Sequence, residues 1–303
     1  MNIAVASHIA LDTIQDMQGR ITESLGGPAC YCSVTARKFN LKVKLATKVG
    51  KDFSQNYRTM LSNNGIDIED GLFTDSPTTR FRIILKKNNR ELFLLSKCSP
   101  LTMEDIQEIK TNCWIVSPVM DEIPFGVLRE IVKDKNNLEF VMLDPQGYIR
   151  TLNPDGRISF LNDLKLDVSG ISAIKVDPEE LFALTGGRKG IEGMQFLHTC
   201  KGIKFVISTE YRIIHLLYDK VYYSIKLKDV TTSHSIGVGD ILSSAFCCAY
   251  LKEKDPLWAI CFGAGAVQAA LETNLLGLEK VPTKSKIEEN ASYYYNTISF
   301  QEI

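Results

Sequence analysis

The residues best placed to do chemistry lie in one stretch, 233–251, which reads SHSIGVGDILSSAFCCAYL. After Asp240 the apolar residues Ile241, Leu242, Ala245, Phe246, Ala249 and Tyr250 recur at helical spacing, which predicts a helix with Gly237, Val238, Gly239 and Asp240 at its entrance. Two glycines there let the backbone turn tightly and approach a ligand, so that successive N–H groups face outward at the positive end of the helix dipole. Gly237, Val238 and Gly239 are therefore expected to form an anion hole. Phosphoryl transfer asks a protein mainly to position reactants and stabilise charge spread over phosphoryl oxygens, and such donors do this. Asp240 could take the proton from an attacking hydroxyl. Taken alone, a GxGD at a helix start is more often a plain capping or dipole feature, so the rest of the chain must decide.

The elements that would position this turn are those of a doubly wound α/β protein. From about residue 100 onward, short apolar runs at Cys113–Val116, Phe140–Leu143, Ile171–Val176 and Phe205–Ser208 alternate with patterns near helical spacing. Those patterns cover Met103–Lys110, Pro124–Lys133, Pro178–Leu184 and Glu192–His198, and the alternation implies a mainly parallel sheet with crossover helices. Met1–Ala10 reads as a first buried strand. Thr79–Leu95 differs: two strand-like runs flank Asn88, Asn89 and Arg90, whose turn chemistry suits a hairpin. That hairpin and the stretch near Leu11–Gln18 are expected to form a small β-sheet lid, from about residues 11–20 and 74–97, within a single domain spanning 1–303.

Composition removes several alternatives. At 303 residues and 45% hydrophobic content the chain can bury a large core. With 35 basic and 36 acidic residues and no basic cluster, the footprint of a nucleic-acid partner is missing. No apolar stretch approaches the roughly 20 residues of a membrane span, and the N-terminus lacks the features of a secretory signal, so a cytoplasmic protein is expected. The eight cysteines have no paired CxxC spacing and read as reduced core thiols. Neither GxxxxGK[ST] nor GxGxxG after a strand occurs, which disfavours P-loop and dinucleotide-binding readings.

Set together, the motifs resemble the ribokinase-like (PfkB) carbohydrate kinase family. His234 to Asp240 matches the second half of its D-T-x-G-A-G-D signature, with His234 in place of the first Asp and Ser235 and Val238 as milder replacements. The resemblance implies that Asp240 is the catalytic base. Leu25-Gly26-Gly27-Pro28-Ala29 resembles the family's Gly-Gly substrate motif, and Tyr31 stands where an Asn often contacts sugar hydroxyls. Asp12 corresponds to the acid that holds substrate hydroxyls, and Gly50 and Asp52 resemble a segment that lines or shapes the same cleft. Asp177 and Glu180 fall on the family's N-x-x-E, which implies a role in supporting Mg²⁺ through water, a habit that suits this ion. Ser208 lies where the nucleotide phosphates are expected, although the family's following Gly is Glu210 here; Gly263 and Gly265 resemble the region beside the adenine pocket, although helix packing explains them equally well.

The resemblance thus implies an ATP- and Mg²⁺-dependent kinase acting on a hydroxyl of a sugar or polyol. The alternatives are a nucleoside kinase on the same scaffold and a catalytically silent ligand-binding protein, the latter encouraged by His234, Asp177 and Glu210. A homodimer through the lid strands is also expected, because an exposed sheet edge invites pairing.

Overall fold

The computed structural model describes residues 1–87, 89–133, 138–230 and 234–303. Six parallel strands form the body of the central sheet: β1 (Asn2–Ala6), β4 (Lys42–Ala46), β9 (Cys113–Val116), β10 (Phe140–Leu143), β13 (Ala173–Val176) and β14 (Phe205–Glu210). Antiparallel β15 (Ile213–Tyr218), β16 (Val221–Lys226) and β17 (Ser299–Glu302) extend one edge, giving the order β17-β16-β15-β14-β13-β10-β9-β1-β4.

The apolar runs are nearly continuous because both faces of the sheet are covered. Ile3, Val5, Cys113, Ile115, Phe140 and Met142 point into one core with α1 (Pro28–Lys38), α2 (Gln55–Asn63), α7 (Val238–Glu253), α8 (Pro256–Leu271) and α9 (Lys284–Thr297). The alternate residues Ala4, Ala6, Trp114, Val116, Val141 and Leu143 point into a second core with α3 (Phe125–Lys133), α4 (Gln146–Ile149), α5 (Pro178–Thr185) and α6 (Gly190–Gln195). This is period-two alternation read from both sides at once. The expected α/β class and parallel sheet are borne out.

Met103–Lys110 does not form the helix its spacing predicts. It folds as successive turns, because Met103 faces solvent, only Ile106 has a fully buried apolar side chain, and Asp105 accepts from the backbone N–H of Thr102 while pairing with Lys48.

The lid has four strands, in the order β3-β2-β7-β8: β2 (Ala10–Gln15), β3 (Ile21–Gly26), β7 (Thr79–Leu85) and β8 (Arg90–Ser96). The expected lid of residues 11–20 and 74–97 omits β3, whose first half is exposed and carries no apolar alternation. Residues 16–20 are a turn in which Asp16 accepts from the N–H groups of Gln18 and Arg20. Asn88, part of the expected β7–β8 turn, lies outside the described residues. A two-residue parallel pair, β5 (Val49–Gly50) with β6 (Phe73–Thr74), braces the lid root, and a short hairpin, β11 (Arg150–Leu152) with β12 (Ile158–Phe160), flanks the sheet. No helix among the described residues is long and apolar enough to cross a membrane.

Candidate active site

Two cavities meet at the carboxyl ends of the parallel strands, where ligands bind in open α/β sheets. The smaller, about 470 Å³, lies under the lid between Asp12, Tyr31, Phe81 and Ile83. The larger, about 1360 Å³, is a groove running past Asp177, Glu180 and Thr209 to an apolar section of Ile214, Leu227, Val267 and Leu271. Arg90, Gln146, Arg150, Gly237 and Asp240 line both. Their junction is therefore where a group could pass from one cavity to the other.

The helix entrance has the geometry its sequence predicts. Gly237 precedes α7 at φ +75°, a left-handed conformation, and a Cβ there would lie 2.5 Å from the Tyr31 ring, so the position requires glycine twice over. The Val238 N–H turns back to the Ser235 carbonyl at 3.3 Å, which commits one of the three expected donors. Gly237 and Gly239 carry the remaining amides, and first-turn amides have no intrahelical acceptor.

Asp240 is buried among the groups that face the junction. Burial first, and then the neighbouring Asp144 carboxylate, push its pKa up to about 7, against the opposing pull of Lys175, Arg150 and Arg90. The Gln146 side-chain amide reaches its carboxylate at 3.4 Å. Arg150 in turn donates to Gln146 Oε1 at 2.8 Å and to the Val119 carbonyl at 2.6 Å. A buried acid held near neutrality at a cavity wall is suited to accept a proton.

Beside it lies a buried ionic cluster. Lys175, on β13, donates to Asp144 at 2.8 Å, just past the end of β10, and sits 3.8 Å from Glu180. Burial opposes its charge, but Asp144 and Glu180 outweigh that and raise its pKa. Burial raises the pKa of Glu180 as well. Asp177 and Glu180 cap α5 reciprocally: Glu180 N donates to Asp177 Oδ1 and Asp177 N to Glu180 Oε2, both at 2.8 Å. The helix-capping role of these two acids is thus on view, and both still line the groove.

Under the lid the structure brings Asp12, Gly27 and Tyr31 to one pocket. Gly26 pairs with Ala10 across β2–β3, and a Cβ on it would lie 2.0 Å from Asp12 Oδ2, so its bareness makes room for that carboxylate. Gly27 adopts φ +80° as it enters α1. Burial raises the Asp12 pKa to about 7, against Arg90 and Arg150. Gly50 and Asp52 shape the lid root instead of lining the pocket: Asp52 accepts from Thr78 N and Oγ1 and pairs with Arg80.

Three expected residues are not brought to the groove. Ser208 is a buried sheet residue, and its neighbour Thr209 lines the groove instead. Gly263 and Gly265 lie inside α8, where added Cβ atoms would meet Leu242 and the α9 backbone at Ile287, so helix packing explains them. Conversely Asp144, Gln146, Arg150, Lys175 and Arg90 were absent from the sequence-based set. A signal existed for some: Asp144 and Gln146 follow an apolar strand run, and Lys175 interrupts another.

Comparison with known proteins bears on the fold. No family model matches the chain. The cytidine kinase of Thermococcus kodakarensis is 21% identical over 262 residues, covering 84% of this chain and 90% of that protein. A pyrophosphate-dependent kinase in the ribokinase family, solved with a pyrophosphate analogue and myo-inositol, superposes with a TM-score of 0.79 at 20% identity over 94% of this chain and 99% of its own. A fructokinase from Vibrio cholerae O395, solved with fructose, ADP and calcium, gives 0.76 at 16% identity over 96% and 99%. The fold is that of the ribokinase family.

Proposed function

We propose that this protein is a kinase that transfers a phosphoryl group from ATP to a hydroxyl of a sugar or polyol. The observation that carries the reading is the position of Asp240, at the wall shared by two cavities, beside the Gly237 and Gly239 amides, which have no acceptor among the described residues, and with a pKa of about 7. The acceptor is held under the lid by Asp12, with the Gly26–Gly27 turn allowing its ring close to the backbone. The donor lies in the groove with its terminal phosphate at Gly237 and Gly239. Asp240 takes the hydroxyl proton as the acceptor oxygen bonds to the γ-phosphorus; the bond from that phosphorus to the β,γ-bridging oxygen breaks, ADP leaves along the groove, and developing charge falls on the amides and on Arg150 and Arg90.

Two features support a nucleotide donor over bare pyrophosphate: the length of the groove, and its apolar end at Ile214, Leu227, Val267 and Leu271, which suits a base. Magnesium would arrive with the donor and neutralise phosphate charge. Among the described residues no group of three or more candidate ligands could hold a metal ion, so Asp177 and Glu180 would support it through water. Enclosure beneath the lid limits hydrolysis of the donor.

The test is turnover of ATP and Mg²⁺, and separately of pyrophosphate, with ribose, fructose, inositol, cytidine, inosine and adenosine, followed by ³¹P NMR. A phosphorylated sugar or polyol is expected. Phosphorylation of cytidine alone would move the acceptor to a nucleoside, a reading that the cytidine kinase likeness keeps in view. Tight ligand binding without turnover of any acceptor would refute the kinase assignment.

A further inference from the structure

Lys280 is the anomaly that the proposed chemistry leaves unexplained. It closes a short 3₁₀ turn, Gly277–Lys280, and only 1% of its surface is exposed. Lysine is almost never fully buried without a paired charge, yet no carboxylate of the described residues pairs with this one. Its ammonium donates instead to the carbonyl of His234 at 3.1 Å and to His234 Nδ1 at 3.0 Å. The second contact requires a neutral imidazole. Burial first, and then Lys280 itself, lower the His234 pKa to about 4, which keeps it neutral.

The location gives this contact its meaning. His234 lies three residues before Gly237, on the segment that leads into the anion hole. The 3₁₀ turn packs against the other side of the same structure: a Cβ on Gly277 would meet Ser24 Oγ of β3 at 2.4 Å, next to the Gly26–Gly27 turn. His234 also lines a cavity beneath Ile14 and Leu85 of the lid. One ammonium group therefore ties the C-terminal turn to the stretch that sets the height of the amides. It also places a buried positive charge against the segment that leads into the α7 entrance.

We propose that Lys280 is a positioning residue for phosphoryl transfer, an internal cation that holds the His234–Gly237 segment in its donor-binding conformation and supplements the field of the α7 entrance. Burial and the Arg90 guanidinium lower its pKa to about 7, and a phosphate anion at the hole would hold the proton on. The inference rests on the kinase reading for its rate effects, but not for its binding effects.

Four variants separate the possibilities. Lys280→Met keeps the volume and removes the charge; its kcat should fall roughly 10- to 100-fold while the acceptor KM changes less than about threefold. Lys280→Ala opens a space for a small cation. Ammonium chloride at about 100 mM should restore at least about fivefold of its rate, and tetramethylammonium chloride at equal ionic strength should not. Should Lys280→Met unfold, Lys280→Arg and Lys280→Gln replace it, and the charged variant should exceed the neutral one by about tenfold. Equal rates for these two, an unchanged kcat in Lys280→Met, or rescue by tetramethylammonium would overturn the proposal. If the wild-type protein turns over no acceptor, the kinase reading fails by itself; Lys280 is then read from β,γ-methylene-ATP binding, which should weaken about tenfold in Lys280→Met and not change if the inference is wrong.

Discussion

Replacing Asp240 by asparagine should make the protein slower and more stable together. The side chain keeps its shape, and its amide oxygen can still accept from Gln146, as the carboxylate does at 3.4 Å. What is lost is the base. A positioned general base contributes about 10²–10⁴ in rate, or roughly 3–5 kcal/mol of barrier, so kcat should fall within that range while donor and acceptor KM values stay within about threefold. Stability should move the other way. An acid whose pKa is raised from 3.8 to about 7 by burial is held against its charge, and the native state loses on the order of 4 kcal/mol relative to a neutral group once the pH exceeds 7. The sign follows from the raised pKa: the penalty is absent below pH 3.8, grows as pH rises, and is complete above about 7. Asp240→Asn should therefore melt higher than wild type at pH 8, with the two converging toward pH 4. The assays are coupled turnover and thermal melts across that pH range. Turnover within about tenfold of wild type, or a variant that melts lower at pH 8, would show that Asp240 is a structural helix-start acid and not the base.

Other perturbations test the surrounding parts. The wild-type kcat/KM should rise with pH through about 7 as Asp240 ionises, and this limb should vanish in Asp240→Asn; a limb that persists there belongs to another group. Lys175→Met leaves Asp144 and Glu180 buried without their cation and should cost about 3–5 kcal/mol in urea unfolding at pH 7.5; a loss under about 1 kcal/mol would contradict the cluster. Gly26→Ala forces a Cβ to within 2.0 Å of Asp12 Oδ2, so acceptor KM should rise about tenfold with donor KM unchanged, and a donor-side effect would place Asp12 wrongly. Gly237→Ala meets both the left-handed φ and the Tyr31 ring; donor affinity should drop at least about tenfold, and Tyr31→Ala added to it should recover part of the loss.

What could be read from the sequence was local. β9 and β10 announced themselves because strands buried on both faces are apolar at every position, and β13 and β14 because only Lys175 and the closing Ser208, Thr209 and Glu210 interrupt theirs. The GxGD turn was legible because its amides, the proposed base and its helix are neighbours along the chain. The ionic cluster was not, since Asp144 and Lys175 are 31 residues apart and meet only through the parallel register that sets Leu143 beside Ile174. Arg90 reaches both cavities because the lid folds over the sheet, which no spacing encodes. β17 carries four exposed residues and has no hydrophobic pattern to detect. Gly263 and Gly265 show the opposite failure. Small residues on a helix signal close approach without saying of what, and here the partners are Leu242 and α9.

The same cluster explains why Asp240 remains poised. Lys175 is close enough to the turn that a Cβ on Gly239 would lie 3.3 Å from its ammonium, so it could have compensated the Asp240 carboxylate directly. Had it done so, the pairing would have drawn the acid down and weakened it as a base. Instead Asp144 holds the ammonium at 2.8 Å and Glu180 stands at 3.8 Å, which satisfies that charge elsewhere and leaves an extra negative neighbour beside Asp240. A structure selected for stability alone would pair the buried acid. One that ties Lys175 to Asp144 and Glu180, so that its pull on Asp240 only partly offsets burial and the Asp144 charge, while lining the adjoining cavities with Arg90 and Arg150, suits the proposed base to a reaction that brings its own negative charge.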